Sequence, residues 1–489
     1  MSFWTFDNVR TVLGAQWAAR PGPGVSAAEA GLCTDTRAIK PGQVFLALRG
    51  ERTDGHLYLD HAAKAGASLL VVDEKFAGVP PPGSAALRVA DTRKALLRLA
   101  AAYRRTLDGT RVVAVTGSNG KTTTTRMIDA VLSGALRGTA PIKSFNNAVG
   151  VPLTILAAKP GDHYLICEIG TSAPGEVAEL ARAVAPDVSV ITSIGREHTA
   201  TLGTLRQIAQ EEAAQVDFLR RGGLAVIHAE APHLREIVEA KAGDPHGFGV
   251  VTFGTRRDAD LRVGDVHQHP DGVRFTINGR HEYRVPLLGA HNAVNAAAAV
   301  AVARRFGVEH DAVAAGLARV TGADMRLQVS TVAGVRVIND AYNANPDSMA
   351  AAIALFAEAG RGAVRRVAVL GDMLELGDSG PSWHAEVVAR ALDPEVGLDL
   401  LVLVGPRIAA AARGLSDDRV VLVPNPSDCA VAAIADRLRP GDTVLLKGSR
   451  GMTIERVLAA LTARAAAPSP APSATVRVEK QRRVRAPRA

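Results

Sequence analysis

The run Val113-Ala114-Val115-Thr116-Gly117-Ser118-Asn119-Gly120-Lys121-Thr122-Thr123 has the residue types and spacing of a phosphate cradle. An apolar stretch suited to a buried strand enters a glycine loop, and a helix-forming stretch, TTTTRMIDAVL, leaves it. Glycines let consecutive backbone N–H groups close on phosphate oxygens, and a helix N-terminus adds the positive end of its dipole. In such a loop Lys121 neutralises the β- and γ-phosphates and the Thr122 hydroxyl ligates Mg²⁺, while Gly117, Ser118, Asn119, Gly120 and Thr123 complete the cradle. The full Walker pattern has another glycine five residues before Gly120. Val115 stands there, so this is a shortened variant. An incidental glycine turn is the competing explanation, and lysine usage weighs against it. Only ten of the 57 basic residues are lysine, so a lysine here answers a demand for a compact ammonium.

Two further polar residues follow neighbouring apolar runs. Glu168 comes directly after YLIC (164–167), and His198 comes shortly after VSVITSI (188–194). In an open parallel sheet, ligands bind beyond the carboxyl ends of the strands. The glycine loop, Glu168 and His198 are therefore expected to share one crevice. A hydroxyl, a carboxylate and an imidazole around a triphosphate make a divalent-metal site. Taken singly, Glu168 reads equally well as a salt-bridged loop carboxylate, and His198 better as a packed or exposed histidine. Their common strand-end position points both to function. Later, Asn339-Asp340-Ala341-Tyr342-Asn343-Ala344-Asn345-Pro346 gathers hydrogen-bonding side chains after a strand. LLKGSRGM (445–452) sets Lys447, Ser449 and Arg450 around two glycines. Each pattern suits anion recognition or a polar turn.

The elements that must position these residues form a βαβ series, short apolar runs alternating with longer helical patterns. Strands are predicted at 43–48, 69–72 and 86–89. After the turn-like LDGT they recur at 111–115, 164–167, 188–194 and 224–227, then at 335–339, 366–370, 400–404, 420–423 and 443–446. The segment 273–287 alternates around Asn278-Gly279, a hairpin signal, and a helix is predicted to begin near His291. The expected division is a first domain over 1–107, a central P-loop domain over 108–321, a C-terminal Rossmann-like domain over 322–465 and a disordered basic tail over 466–489. No repeat at a solenoid period is evident.

Composition agrees with a three-domain α/β protein. The chain has 489 residues, 47% hydrophobic and 22% charged, which excludes wholesale disorder and small disulfide scaffolds. Aromatics are only 4%, so Ala, Val, Leu and Ile must fill the core, as in helix-covered parallel sheets. No apolar run reaches the length of a membrane span, and the N-terminus lacks the layout of a signal peptide. Cys33, Cys167 and Cys429 are few and far apart, so reduced thiols in a cytoplasmic chain are expected. The net charge of +8 is concentrated at the end of the chain. Six basic residues there face Glu479 alone, leaving +3 for the first 465 residues. The body is not a nucleic-acid binder. The tail reads first as a solvated extension and second as a contact for RNA, acidic proteins or anionic lipid.

The chain also resembles the Mur ligase family. The resemblance is carried in order by TDTRAIKPGQVFLALRGERTDGHLYLDHAAKAGA (34–67), TGSNGKTTT, SFNNAVGVPLT (144–154), EIGTSAPGEV, HNAVNAA (291–297), NDAYNANPDSM (339–349), LGDMLELG (370–377) and LLKGSRGM. It implies a three-domain ATP-dependent amide ligase. 

The resemblance implies the reaction as well: a carboxylate attacks the ATP γ-phosphate, and an incoming amine displaces phosphate from the acyl phosphate. Within the family, the motifs are most similar to the branch that joins D-alanyl-D-alanine to a UDP-N-acetylmuramoyl-tripeptide. The resemblance further implies that Thr122, Glu168 and His198 hold Mg²⁺ with the phosphates, that Asn292 and Asn295 contact adenine, and that Arg326 and Asp340 reach the ribose or phosphates. Asn146, Asn147 and Asn343 would face the muramoyl peptide or its partner. Thr36, Arg37, Gly50, Asp54 and His56 would cradle the uridine diphosphate, and Lys447 and Arg450 would orient the dipeptide carboxylate. A monomer with no nucleic-acid partner and no membrane insertion is expected.

Two departures from the family pattern stand out. Many members carry a lysine carbamylated by CO₂ on the helix after the His198 loop. Here Glu212 falls at that position, with Glu211 beside it. The expectation is that Glu212 supplies the metal-binding anion directly, without CO₂. The family's Gly-Arg after the inter-domain linker reads GADMRLQ, which makes Arg326 the matching arginine. Three other readings compete. A diamino-acid-adding ligase would carry Asp-Asn-Pro-Arg, which is absent. Folylpolyglutamate synthase lacks the uridine-type first domain. An ATPase switch would hydrolyse ATP without either ligase substrate.

Overall fold

A computed structural model describes residues 2–22, 31–50, 53–243 and 247–466. The predicted basic tail lies outside the described residues, apart from Ala466.

Three sheets follow one another along the chain. The first has five strands in the order Gln16–Ala19, Ala85–Val89, Leu69–Asp73, Val44–Leu46, Leu32–Cys33, parallel except at the first pair. The second has nine. Its parallel part runs Gly249–Gly254, Leu224–His228, Val188–Ile191, Arg111–Thr116, Tyr164–Glu168, Gly138–Thr139. Leu261–His269, Gly272–Ile277 and His281–Val285 extend it at the far edge. The third has six strands, in the order Gln328–Val332, Val335–Asp340, Asp442–Lys447, Arg365–Gly371, Leu400–Val404, Val420–Val423, again parallel except at the first pair.

The predicted strands at 400–404 and 420–423 coincide with those observed, and most others agree within a residue. Two are shorter than predicted. The first-domain run 43–48 keeps strand geometry only over Val44–Leu46. The run 188–194 stops at Ile191 because Thr192 and Ser193 turn aside to bond the glycine loop. The hairpin turns at Asn278 and Gly279, both with positive φ (55° and 63°), as its sequence requires.

Small residues set how closely the layers approach. The helix His291–Arg305 is alanine-rich and buried along most of its length, packed against the P-loop helix Lys121–Leu132 and the central sheet. Alanine presents only a methyl group, so these backbones come close without large side chains between them.

The first two domains share a core. The helix Thr92–Arg104, whose N-terminal amides at Arg93 and Lys94 donate to Asp91, packs on Gly150–Ala157 and Glu176–Val184. Leu96 and Leu99 join Ile155, Leu165 and Val177 in one apolar cluster. Tyr103 Oη donates to the Ala158 carbonyl at 2.8 Å, and Arg104 Nε to that of Val184 at 3.0 Å. The third domain builds apolar layers on the two faces of its sheet almost entirely from its own residues, with Leu288 of the central domain joining one of them.

Candidate active site

Strand Arg111–Thr116 lies between Val188–Ile191 and Tyr164–Glu168. The glycine loop, Glu168 and residues 192–198 therefore leave the same edge of the central sheet. Two glycines make the loop possible. Gly117 has φ 121°, and a Cβ there would lie 2.5 Å from Thr192 Oγ1 and 2.8 Å from the Ser193 nitrogen. Gly120, with φ 86°, caps the P-loop helix, and its Cβ would lie 2.7 Å from Asn295 Oδ1. Side chains brace the loop from beside it. Thr192 Oγ1 donates to the Asn119 carbonyl (2.6 Å), Asn119 N to Ser193 Oγ (2.8 Å) and Gly195 N to Ser118 Oγ (2.8 Å).

The charges here are buried and interdependent. Lys121 Nζ donates to the Gly117 carbonyl at 2.5 Å and lies 3.4 Å from Glu197 Oε1. Burial works to lower its pKa, but Glu197, Glu212 and Glu168 outweigh that and raise it. Glu168 is fully buried. Its Oε1 accepts from Thr122 Oγ1 (3.1 Å) and Asn146 Nδ2 (2.9 Å), while Oε2 has no hydrogen-bond partner. Burial raises its pKa against the pull of Lys121 and Arg326. Burial also pushes Glu197 up to about 7, opposed by Lys121. Glu197 was not among the residues expected from sequence. Its only signal there is its place beside His198.

A cleft of roughly 590 Å³ opens over the loop between the central and third domains. Ser118, Asn119, Gly120, Lys121 and Thr123 line it, with Asn146, Asn147, His198, Asn292 and Asn295 from the central domain and Arg326, Asp340, Asn343 and Lys447 from the third. Asn292 Nδ2 donates to the Leu288 carbonyl, and its Oδ1 accepts from Asn295 Nδ2 at 3.1 Å. Asn147 Oδ1 accepts from the amides of Val149 and Gly150. Arg326 stacks 4.3 Å from the Tyr342 ring centroid and reaches Thr122 Oγ1 at 3.4 Å. Lys447 Nζ donates to Asp340 Oδ2 (2.5 Å) and to the Asn343 carbonyl (3.2 Å). His198 pairs through Nδ1 with Glu375, and burial lowers its pKa against that pairing.

The other expected residues are placed elsewhere. Glu212 is buried and does not line the cleft. Its Oε2 accepts from Thr116 Oγ1 (2.5 Å) and Gly117 N (3.0 Å), so it anchors the start of the loop. Arg450 pairs with Glu455 and lines a neighbouring cavity of about 260 Å³ shared by Glu197, His198 and Glu375. In the first domain, Arg37 pairs locally with Asp35, and Gly50 N donates to the Thr53 carbonyl. Asp54 and His56 join Arg49 and Asp73 in one polar network. These residues and Thr36 do not line the cleft.

Among the described residues no group of three or more His, Cys, Asp or Glu is placed to hold a metal ion. Thr122 and Glu168 meet at hydrogen-bond distance, His198 lines the cleft with its Nδ1 paired to Glu375, and Glu212 turns to Thr116 and Gly117. The meeting pair still fits a hard divalent cation. Both offer oxygen, Glu168 Oε2 is buried without a partner, and Mg²⁺ commonly takes one or two protein oxygens and completes its shell with phosphate and water.

A P-loop sheet fused to a first domain and facing a third domain across the cleft defines an acid–amine ligase architecture. The chain belongs to the Mur ligase family: its family, catalytic-domain model matches residues 30–104, the Mur ligase middle domain 115–303, and the glutamate ligase domain 325–450. One relative is the UDP-N-acetylmuramoyl-tripeptide–D-alanyl-D-alanine ligase of Bacillus subtilis (strain 168), 38% identical over 434 residues, which are 88% of this chain and 92% of that one. Among solved structures, MurF from Acinetobacter baumannii aligns with TM-score 0.81 and 28% identity, over 94% of this chain and 99% of that one. MurF ligase from Thermotoga maritima in complex with ADP aligns with TM-score 0.73 and 26% identity, over 88% and 97%. Among the described residues no helix is long and apolar enough to cross a membrane.

Proposed function

We propose that this chain joins D-alanyl-D-alanine to a UDP-N-acetylmuramoyl-tripeptide at the expense of ATP, in the synthesis of peptidoglycan precursor. The observation that carries this reading is the approach of third-domain Arg326 to P-loop Thr122 at 3.4 Å. It brings a cation from one domain beside the P-loop of another, which suits the charge neutralisation that phosphoryl transfer relies on.

The P-loop amides and Lys121 receive the phosphates, with Lys121 turning from the Gly117 carbonyl toward them. Asn292 and Asn295 bind the base, and Arg326 and Asp340 approach from the third domain. Thr122 and Glu168 would hold Mg²⁺, which supplies charge neutralisation for phosphoryl transfer when bound. Asn146 and Asn147 face the tripeptide carboxylate, which takes the γ-phosphoryl group. The dipeptide amine then displaces phosphate. Arg450, at the second cavity, orients the dipeptide carboxylate, whereas the ammonium of Lys447 holds Asp340. Thr36, Arg37, Gly50, Asp54 and His56 serve the uridine diphosphate in the first domain. The working boundaries are 1–107, 108–321 and 322–465, and the working form is a cytoplasmic monomer.

The test is ADP release measured while crossing several UDP-muramoyl peptides with D-alanyl-D-alanine and with single amino acids. The expected result is release only with a tripeptide and the dipeptide together. ADP release without either substrate would favour the switch reading and overturn the ligase.

A further inference from the structure

Between the strand Val188–Ile191 and the helix Thr199–Leu202, the segment 195–198 sends successive side chains to different domains. Glu197 faces Lys121 of the P-loop. Arg196 and His198 face the third domain instead. Arg196 makes the denser contact. Its backbone N donates to Asp347 Oδ2 and its Nη1 to Asp347 Oδ1, both at 2.8 Å. Its guanidinium stacks 4.6 Å from the Trp383 ring centroid. Asp347 opens the helix Pro346–Ala359, and Trp383 belongs to Gly380–Leu392, so one arginine spans two third-domain helices.

The neighbouring residue makes room for this contact. A Cβ on Gly195 would lie 2.8 Å from Asp347 Oδ2 and 3.3 Å from Asn119 Nδ2. The absent side chain therefore lets the third-domain carboxylate approach both the backbone at 195–196 and the P-loop. Beside it, Asn345 Nδ2 donates to Asn119 Oδ1 at 3.1 Å. Further on, Thr199 Oγ1 donates to the Leu376 carbonyl and Ala200 N to that of Glu375. The segment is tied to the third domain on both sides of Glu197. Arg196 itself does not line the cleft.

We propose that Arg196 is a positioning residue: by clamping Asp347 and Trp383 across the domain boundary, it fixes segment 195–198 and so couples third-domain docking to the placement of Glu197 against Lys121. This rests on the ligase reading above. A bidentate, stacked arginine is not replaced by lysine, which offers a point charge without the planar fork.

The test uses the full chain with Arg196→Gln, Arg196→Lys, Asp347→Asn, Trp383→Leu and the Arg196→Gln/Asp347→Asn double variant. A charge-assisted hydrogen bond contributes about 1.5–3 kcal/mol, so each polar single variant should lose roughly ten- to a hundred-fold in kcat/KM for the dipeptide. Binding of a non-hydrolysable ATP analogue to the free enzyme should fall by less than kcat/KM does, because the glycine loop keeps its own braces to Ser193 and Gly195. The double variant should be no worse than the poorer single variant, the signature of one shared interaction. Trp383→Leu should lower kcat/KM in the same direction while leaving both charges in place. Full activity in Arg196→Gln, strictly additive losses in the double variant, or an equal loss of ATP-analogue affinity would each overturn the proposal. If the ligase reading itself failed, the unaltered chain would release no ADP with both substrates present, a distinct result.

Discussion

Lys121 sits among oxygens, its ammonium bonding the Gly117 carbonyl and facing Glu197. Lys121→Ala is expected to cut turnover by at least about 10³-fold without unfolding the protein, because Glu197, whose pKa lies near 7, can take up a proton when its partner is gone. Circular dichroism beside the ADP assay checks both halves, and near-normal turnover would reject the P-loop assignment. Glu168→Gln keeps the shape but removes the charge, and should cost about 10²–10³-fold. The common sheet edge of Lys121, Glu168 and His198 was legible in the sequence because each comes at or after the carboxyl end of an apolar strand. Glu197 was not, since its meaning depends on a lysine 76 residues earlier. Glu212 was expected as a metal-binding anion, and its bonds to Thr116 and Gly117 were not legible because they join residues 96 and 95 positions apart.

Elements hold these residues by backbone geometry that few side chains tolerate. Gly117→Ala would place a methyl group against Thr192 and Ser193 at a φ of 121°. The expected outcome is loss of ATP-analogue binding together with a lower melting temperature; calorimetry showing neither would disprove the steric account. In the third domain, the buried His384 accepts from Met373 N at 2.9 Å and donates through Nδ1 to the Gly380 carbonyl, so the neutral ring holds the turn after Arg365–Gly371. Burial keeps its pKa below the ordinary histidine value. A depressed histidine contributes stability that is complete above about pH 6.5 and is lost as pH falls, since the unfolded chain takes up the proton first. The buried carboxylates with raised pKa act in the opposite sense, so the signal lies in a difference. Between pH 7.5 and 5.5 the urea midpoint of the unaltered chain should fall further than that of His384→Gln. Parallel slopes would count against it. Five strands of the third sheet were legible as apolar runs, whereas its edge strand Gln328–Val332 is largely exposed and Leu261–His269 alternates its burial, which hid both from a search for apolar runs.

At the scale of the molecule, the two boundaries differ in kind. Leu96 and Leu99 are sealed with Ile155 and Val177 in a shared core, and each such side chain contributes about 1.5–3 kcal/mol on burial. The third domain meets the rest largely through polar contacts, including Arg196–Asp347, Asn119–Asn345 and Arg326–Thr122. Closure during turnover should therefore move the third domain against a rigid pair. Hydrogen exchange with ATP analogue and UDP-tripeptide should slow at 195–198 and 341–347, with the seam between Thr92–Arg104 and Gly150–Ala157 unchanged. Small-angle scattering with no compaction would contradict it. The three-domain plan was legible in the alternation of strands and helices, but the fusion of the first two domains was not, because apolar faces do not announce their partners. For descent and for engineering, that seam makes the chain two inheritable modules instead of three. A chimera spliced near Thr321 would have to keep Leu288 matched to the incoming core, while one spliced near Leu107 would have to re-match a whole shared apolar cluster at once.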